Sequence, residues 1–146
     1  ATLVVLGQGP LAARLAAHPA AGGPLRLAGQ VADVADWLLA ADTLVLPSQL
    51  EGWPLIFLEA AANRCPVVAT AAALECLGEA AEQVASLVPL PTIAALALHI
   101  SATFTHDAAV RQRIDAAEAL SRRQGLDTML RRYCAMLRAC HRGAAT

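Results

Sequence analysis

Five short apolar runs punctuate the chain, Thr2–Leu6, Leu25–Gly29, Thr43–Pro47, Val67–Thr70 and Ser86–Pro89, and each is followed by a turn and a stretch of helical periodicity. Runs of this length and apolarity suit strands whose two faces are both covered by helices. Strands alternating with helices predict an α/β fold with an open, largely parallel sheet, whose ligands bind outside the carboxyl ends of the strands. Gly7, Gly29 and Glu51 all follow strands at that edge.

The elements between the runs can be placed from their apolar spacing. Gly7-Gln8-Gly9-Pro10 is a tight turn, and Leu11, Leu15 and Ala16 mark one face of a short helix. Ala13 stands near the place of a third glycine, so the turn is weak as a dinucleotide fingerprint. A helix over Asp33–Ala41 would turn Val34, Trp37 and Leu38 inward, with Trp37 read as core. Beyond Ala71 a short helix is expected through Glu82. From Thr92 to about Cys140 three helices follow, broken near His106-Asp107 and Gly125, with Asp107 and Asp127 as N-caps and leucines and alanines packed on the sheet.

The segment between the third and fourth runs carries the candidate chemistry. Pro54 suits the first position of a helix, since its φ is preset and its missing N–H would have no helical partner there. Leu55, Leu58 and Ala62 share a face with Glu59, which sets a carboxylate into an apolar stripe. Glu51 precedes the helix and Glu59 lies about 7.5 Å along it, at about 1.5 Å per residue. A helix start offers free N–H groups to phosphate, and a carboxylate one or two turns on can accept from vicinal hydroxyls. On spacing alone a solvated glutamate on an outer face is the commoner outcome.

Composition narrows the classes. Hydrophobic residues make up 57% and aromatics 3%, so the core must be aliphatic and alanine-filled. A net charge of −1 gives no electrostatic reason to propose nucleic acid as partner, although Arg122, Arg123, Arg131, Arg132, Arg138 and Arg142 gather late. No apolar run reaches the roughly 18 residues of a spanning helix, and no signal peptide is read. Cys65, Cys76, Cys134 and Cys140 lack CxxC spacing and read as buried or idle thiols of a cytoplasmic protein. Asp33 and Asp36 are too far apart for an Asp-x-Asp metal site, and the four histidines form no nucleophile constellation. The length suits one domain over residues 1–146, and the start at Ala1, directly before a strand, reads as a piece of something longer.

Leu46-Pro47-Ser48 followed by Glu51-Gly52, Leu58-Glu59-Ala60 and Pro66-Val67-Val68-Ala69-Thr70 resembles the core signature of the family-four glycosyltransferases of GT-B fold. The resemblance extends to the turn Gly7–Pro10, the loop Leu27–Val31 and Glu75, and so covers nearly the whole chain. It implies the Rossmann-like, C-terminal, donor-binding half of such an enzyme, lacking that half's first strand-helix unit and the acceptor-binding N-terminal domain.

By position, Glu59 is similar to the family's ribose-binding glutamate and Glu51, the catalytic candidate, to the one near the donor sugar. Gly52, Trp53, Pro54 and Leu55 correspond to the segment cradling the diphosphate, and Gly29 and Gln30 to the loop by the base. The implied reaction is transfer from a nucleotide-diphosphate sugar with retained configuration and no metal or other cofactor. The acceptor, a glycan or lipid-linked sugar, is left open, and so is the nucleotide base. The implied place is cytoplasmic, with peripheral association at the inner face of the membrane as a further expectation. Pro54 and Arg64 stand where the family usually has Gly, and the Arg and Lys that meet the leaving diphosphate fall outside this chain, so this segment alone is expected to be inactive. Two other readings stay open: a degenerate glycosyltransferase-like domain with a scaffold or partner role, and a flavodoxin-like regulatory or binding domain.

Overall fold

The computed structural model describes residues 1–143, which pack as two compact units, Ala1–Val34 and the residues from Ala35 on. All named strand pairs are parallel, and they form a two-stranded sheet in the first unit and a three-stranded sheet in the second.

In the first unit β1 (Leu3–Leu6) pairs with β2 (Leu25–Gly29), with α1 (Ala12–Ala16) between them. The register runs Leu3 to Leu25 and Val5 to Leu27, then shifts so that Leu6 meets Gly29. Gly7 and Gly29, at φ 102° and 69°, hold backbone conformations that side chains rarely tolerate. The Gly7 N–H donates to the Gly29 carbonyl at 2.6 Å, so the two strand-end turns are tied together. Leu25 is the buried residue here, while Leu3, Val4 and Leu27 are exposed.

The second unit holds α2 (Val34–Ala40) from Ala35 on and β3 (Leu44–Leu46), followed by α3 (Leu55–Ala62) and β4 (Val67–Thr70). A 3₁₀ segment, Ala72–Ala80, leads into α4 (Ala81–Val84) and β5 (Ser86–Val88), and then α5 (Ile93–Thr103), α6 (Ala108–Arg123) and α7 (Leu126–Gly143). Strand order is β3-β4-β5. The central β4 is buried throughout, its apolar run Val67-Val68-Ala69 closed by the buried Thr70.

Small residues set how closely the layers approach. Ala60 and Ala61 on α3 and Ala117 on α6 are all buried, and the two helices pack directly together. Phe57, Leu74, Val68 and Val88 are the largest fully buried side chains. The core is aliphatic and alanine-rich, as composition required.

The ends of α3 and α6 show how the chain turns. Thr92 and Asp107 cap α5 and α6, their side chains accepting from Ala95 and Val110 N–H at 3.1 and 2.9 Å. Beyond α3, Cys65 N–H donates to Ala60 O at 2.9 Å and Arg64 N–H to Ala61 O at 3.2 Å, the paired bonds of a Schellman motif. That motif puts Arg64 at φ 57°, where glycine is the usual residue. Arg64 compensates through its side chain, which reaches Asp115 and Glu118 on α6.

Four expectations are corrected. Trp37 is 40% exposed, since the inward face of α2 is narrow and closes on Leu38. The helix expected through Glu82 is instead a 3₁₀ segment broken at Leu74 and at Gly78, whose φ of 55° interrupts helical bonding. Asp127 lies in the first turn of α7 rather than at its cap. Finally α7 does not pack on the sheet: Leu126, Met129, Leu130, Tyr133, Met136 and Leu137 are all exposed.

Candidate functional site

The loop after β3 is positioned from β4. Thr70, buried at the carboxyl end of β4, donates its hydroxyl to the Ser48 carbonyl and accepts from Ala73 N–H at 3.2 Å. One side chain thereby fixes the loop that leads to Glu51 and the start of the 3₁₀ segment. At the other end of the sheet Thr43 Oγ1 donates to Pro66 O at 3.1 Å, which joins β3 to β4 there.

Pro54 is buried and forms the N-cap of α3 in an extended conformation, φ −76° and ψ 92°, so the helix proper starts at Leu55, one residue later than expected. Phe57 N–H closes the first turn on Pro54 O at 3.0 Å. No side chain caps this end. The N–H groups of Leu55 and Ile56 therefore lack helical partners, and they form the positive end of the helix dipole. A Cβ at Gly52 would meet nothing within 4 Å, so the backbone here stands open.

Glu51 is half-buried, and Gly52, Trp53, Leu55 and Glu59 are exposed, with Trp53 at 40%. The apolar stripe expected around Glu59 is corrected by this geometry. The buried face of α3 is Phe57, Ala60 and Ala61, whereas Leu55 and Ala62 on the Glu59 side are open to solvent. Glu59 is thus accessible to a ligand rather than embedded. Asn63 Nδ2 donates to the Glu59 backbone carbonyl at 2.9 Å, which leaves the carboxylate out of that bond.

Gly29 and Gln30 belong to the first unit, at the carboxyl end of β2, with Gln30 exposed. The second unit brings Glu51, Gly52, Trp53, Pro54, Leu55 and Glu59 together on one strand-to-helix connection. Sequence reasoning missed Thr70, although a polar residue closing the apolar run Val67-Val68-Ala69 was the available signal.

A small cavity of about 30 Å³, space for one water, is lined by Cys65, Pro66, Ser86, Thr103 and Val110 among others. It lies where β4 and β5 begin, away from the strand ends that carry the candidate residues. Burial pushes the Cys65 thiol up from its ordinary range, and the group is inert there. Among the described residues no cluster of three or more His, Cys, Asp or Glu could hold a metal ion.

Parallel strands flanked by helices, a helix start at a carboxyl edge and two glutamates with seven residues between them have the arrangement of a GT-B half. Residues 1–106 match the family "Glycosyl transferases group 1", and the chain belongs to that family. It is 54% identical over 44 residues to the putative teichuronic acid biosynthesis glycosyltransferase TuaC of Bacillus subtilis, a match covering 29% of this chain and 11% of that protein.

Among solved structures, sucrose-phosphate synthase of Thermosynechococcus elongatus superposes with a TM-score of 0.74 at 23% identity, over 95% of this chain and 39% of that one. Anabaena HepE in complex with UDP-glucose gives 0.77 at 17% identity, over 94% of this chain and 41% of that one. The chain therefore spans about two fifths of the length of these two structures. The flavodoxin-like alternative is set aside by the family match.

Proposed function

We propose that this chain is the donor-binding half of a retaining glycosyltransferase that moves a sugar from a nucleotide-diphosphate sugar to an acceptor. The observation that carries the reading is the uncapped start of α3, set between the half-buried Glu51 and the exposed Glu59 at the carboxyl end of β3. The Leu55 and Ile56 N–H groups receive the diphosphate, whose charge the helix dipole favours. Glu59 accepts from the ribose hydroxyls. Glu51 faces the donor sugar. HepE, a protein of similar fold, is seen with UDP-glucose, which supports a nucleotide-sugar donor here.

Reaction at the anomeric carbon leaves a diphosphate that must be stabilised as charge develops, and helix-end amides supply part of that field. No metal is assigned a role. The acceptor, a glycan or lipid-linked sugar, is assigned to a domain outside this chain, as are the cations that would complete the diphosphate site. On this account the segment binds donor and does not turn it over alone.

A non-catalytic reading is favoured by one observation, the buried Pro54, which removes an N–H from the segment that would hold the diphosphate. Calorimetric titration of the folded chain with UDP, GDP and ADP separates the two. Saturable binding of one nucleotide diphosphate supports the donor site and names its base. Absence of heat with all three, in this chain and in a longer protein containing it, supports the scaffold reading.

A further inference from the structure

Trp53 is the one aromatic residue on the connection between β3 and α3, and it is 40% exposed there. Aromatic residues make up only 3% of the chain, and the second unit fills its core with Phe57, Leu74, Val68 and Val88, without this indole. The buried Pro54 follows directly and fixes the backbone that carries it. Leu50 and Leu55, also exposed, add apolar surface on either side of Glu51.

The covalent order of a nucleotide sugar decides what Trp53 meets. With the diphosphate at the Leu55 and Ile56 N–H groups and the ribose at Glu59, about one turn further along α3, the sugar falls on the opposite side of the diphosphate. That side is the loop holding Glu51, Gly52 and Trp53. A hexopyranose has a rim of hydroxyls and two faces made largely of C–H bonds. Glu51 can accept from the rim, while an indole offers a flat apolar surface to a face, with one N–H donor at its edge. Gly52 places no side chain between them. A nucleobase would also stack on an indole, but it lies beyond the ribose, at the far end of the donor from this loop.

We propose, on the donor-site reading above, that the Trp53 indole is the platform for the hexopyranose ring of the donor. Removing the ring then weakens the nucleotide sugar more than the free nucleotide, by about 2- to 12-fold, the range of one aromatic contact.

Calorimetric titration of the full chain with UDP and UDP-glucose, GDP and GDP-mannose, and ADP and ADP-glucose tests this. The quantity read is the affinity of the hexose conjugate relative to that of its free nucleoside diphosphate. Trp53→Ala should lower that ratio by about 2- to 12-fold, and Trp53→Phe, which keeps an aromatic face, should recover most of it. Trp53→Leu keeps apolar bulk without a ring and gives the same test should Trp53→Ala fail to fold. A ratio unmoved in a folded Trp53→Ala or Trp53→Leu chain that still binds nucleotide would overturn the platform and leave the donor site standing. No heat from wild type with any of these titrants would overturn both for this chain.

Discussion

Arg64 sets its guanidinium 2.7 Å from the Asp115 carboxylate, joining the turn after α3 to α6 across 51 residues of sequence. A second contact from the same guanidinium reaches Glu118, which also pairs with Arg122. The backbone at φ 57° would favour glycine, and the ion pairs offset that strain. The departure from the usual glycine is therefore structural and lies at the end of α3 opposite the candidate site.

Replacing Arg64 separates backbone from side chain. Arg64→Ala loses both carboxylates and keeps the unfavourable φ, whereas Arg64→Gly loses the carboxylates and relieves it. Urea unfolding should rank wild type and Arg64→Gly close together and Arg64→Ala clearly lower. Because the pairs are solvent-exposed, added salt should narrow the gap between wild type and Arg64→Gly.

The same network gives a pH dependence. Hydrogen bonds from Arg64 and Arg122 hold the Glu118 carboxyl below its ordinary 4.5, and the Val110 N–H, followed by Thr105, holds Asp107 below its ordinary 3.8. A carboxyl depressed in the folded state stabilises above its unfolded value and loses that contribution as pH falls through the folded one. Melting temperature should therefore be insensitive to these groups near neutrality and decline from about pH 4.5 downward. Glu118→Gln should flatten the upper part of that decline, as melts across the acid range would show.

Phe57 is 1% exposed and sits one turn from the buried Ala60 and Ala61. Phe57→Ala should destabilise the second unit by about 3–5 kcal/mol, the usual cost of deleting a buried ring. Equilibrium denaturation measures this directly, and a loss below about 1 kcal/mol would mean that the site collapses or that α3 is not docked as described.

Thr70 offers a test of how the site loop is held. Thr70→Val keeps the shape and removes the hydroxyl, leaving the Ser48 carbonyl and Ala73 N–H without that partner, at a cost of about 1–3 kcal/mol. Thr70→Ser should recover most of the stability. If the loop positions Glu51 for a donor, Thr70→Val should also weaken nucleotide binding in calorimetry while Thr70→Ser does not.

Much of this was legible in the sequence, for reasons that differ by element. Four of the five strands from Leu3 to Val88 are short apolar runs closed by Gly or Pro, β4 alone running into Ala71, and the breaks before α6 and α7 follow from His106-Asp107 and Gly125. Asp107 caps because its side chain satisfies a local N–H, a bond within reach of neighbouring sequence. What failed was burial. Periodicity shows that Trp37, Leu55 and the α7 leucines lie on a stripe, yet what covers a stripe is decided by distant chain. Arg64 was legible as a departure from glycine, but its partners on α6 are remote in sequence and no local pattern announces them.

In the proposed function Glu59 holds the ribose of a nucleotide at the start of α3. Amide shifts of the isotope-labelled chain, followed during titration with the nucleotide that binds best, test it most directly, with Glu59→Ala as the comparison. Shifts at Trp53 and Leu55 are expected in wild type, with an affinity lower by about 5- to 150-fold in the variant, the equivalent of about 1–3 kcal/mol. Equal affinity in a folded Glu59→Ala chain, with the same amides shifting, would contradict it.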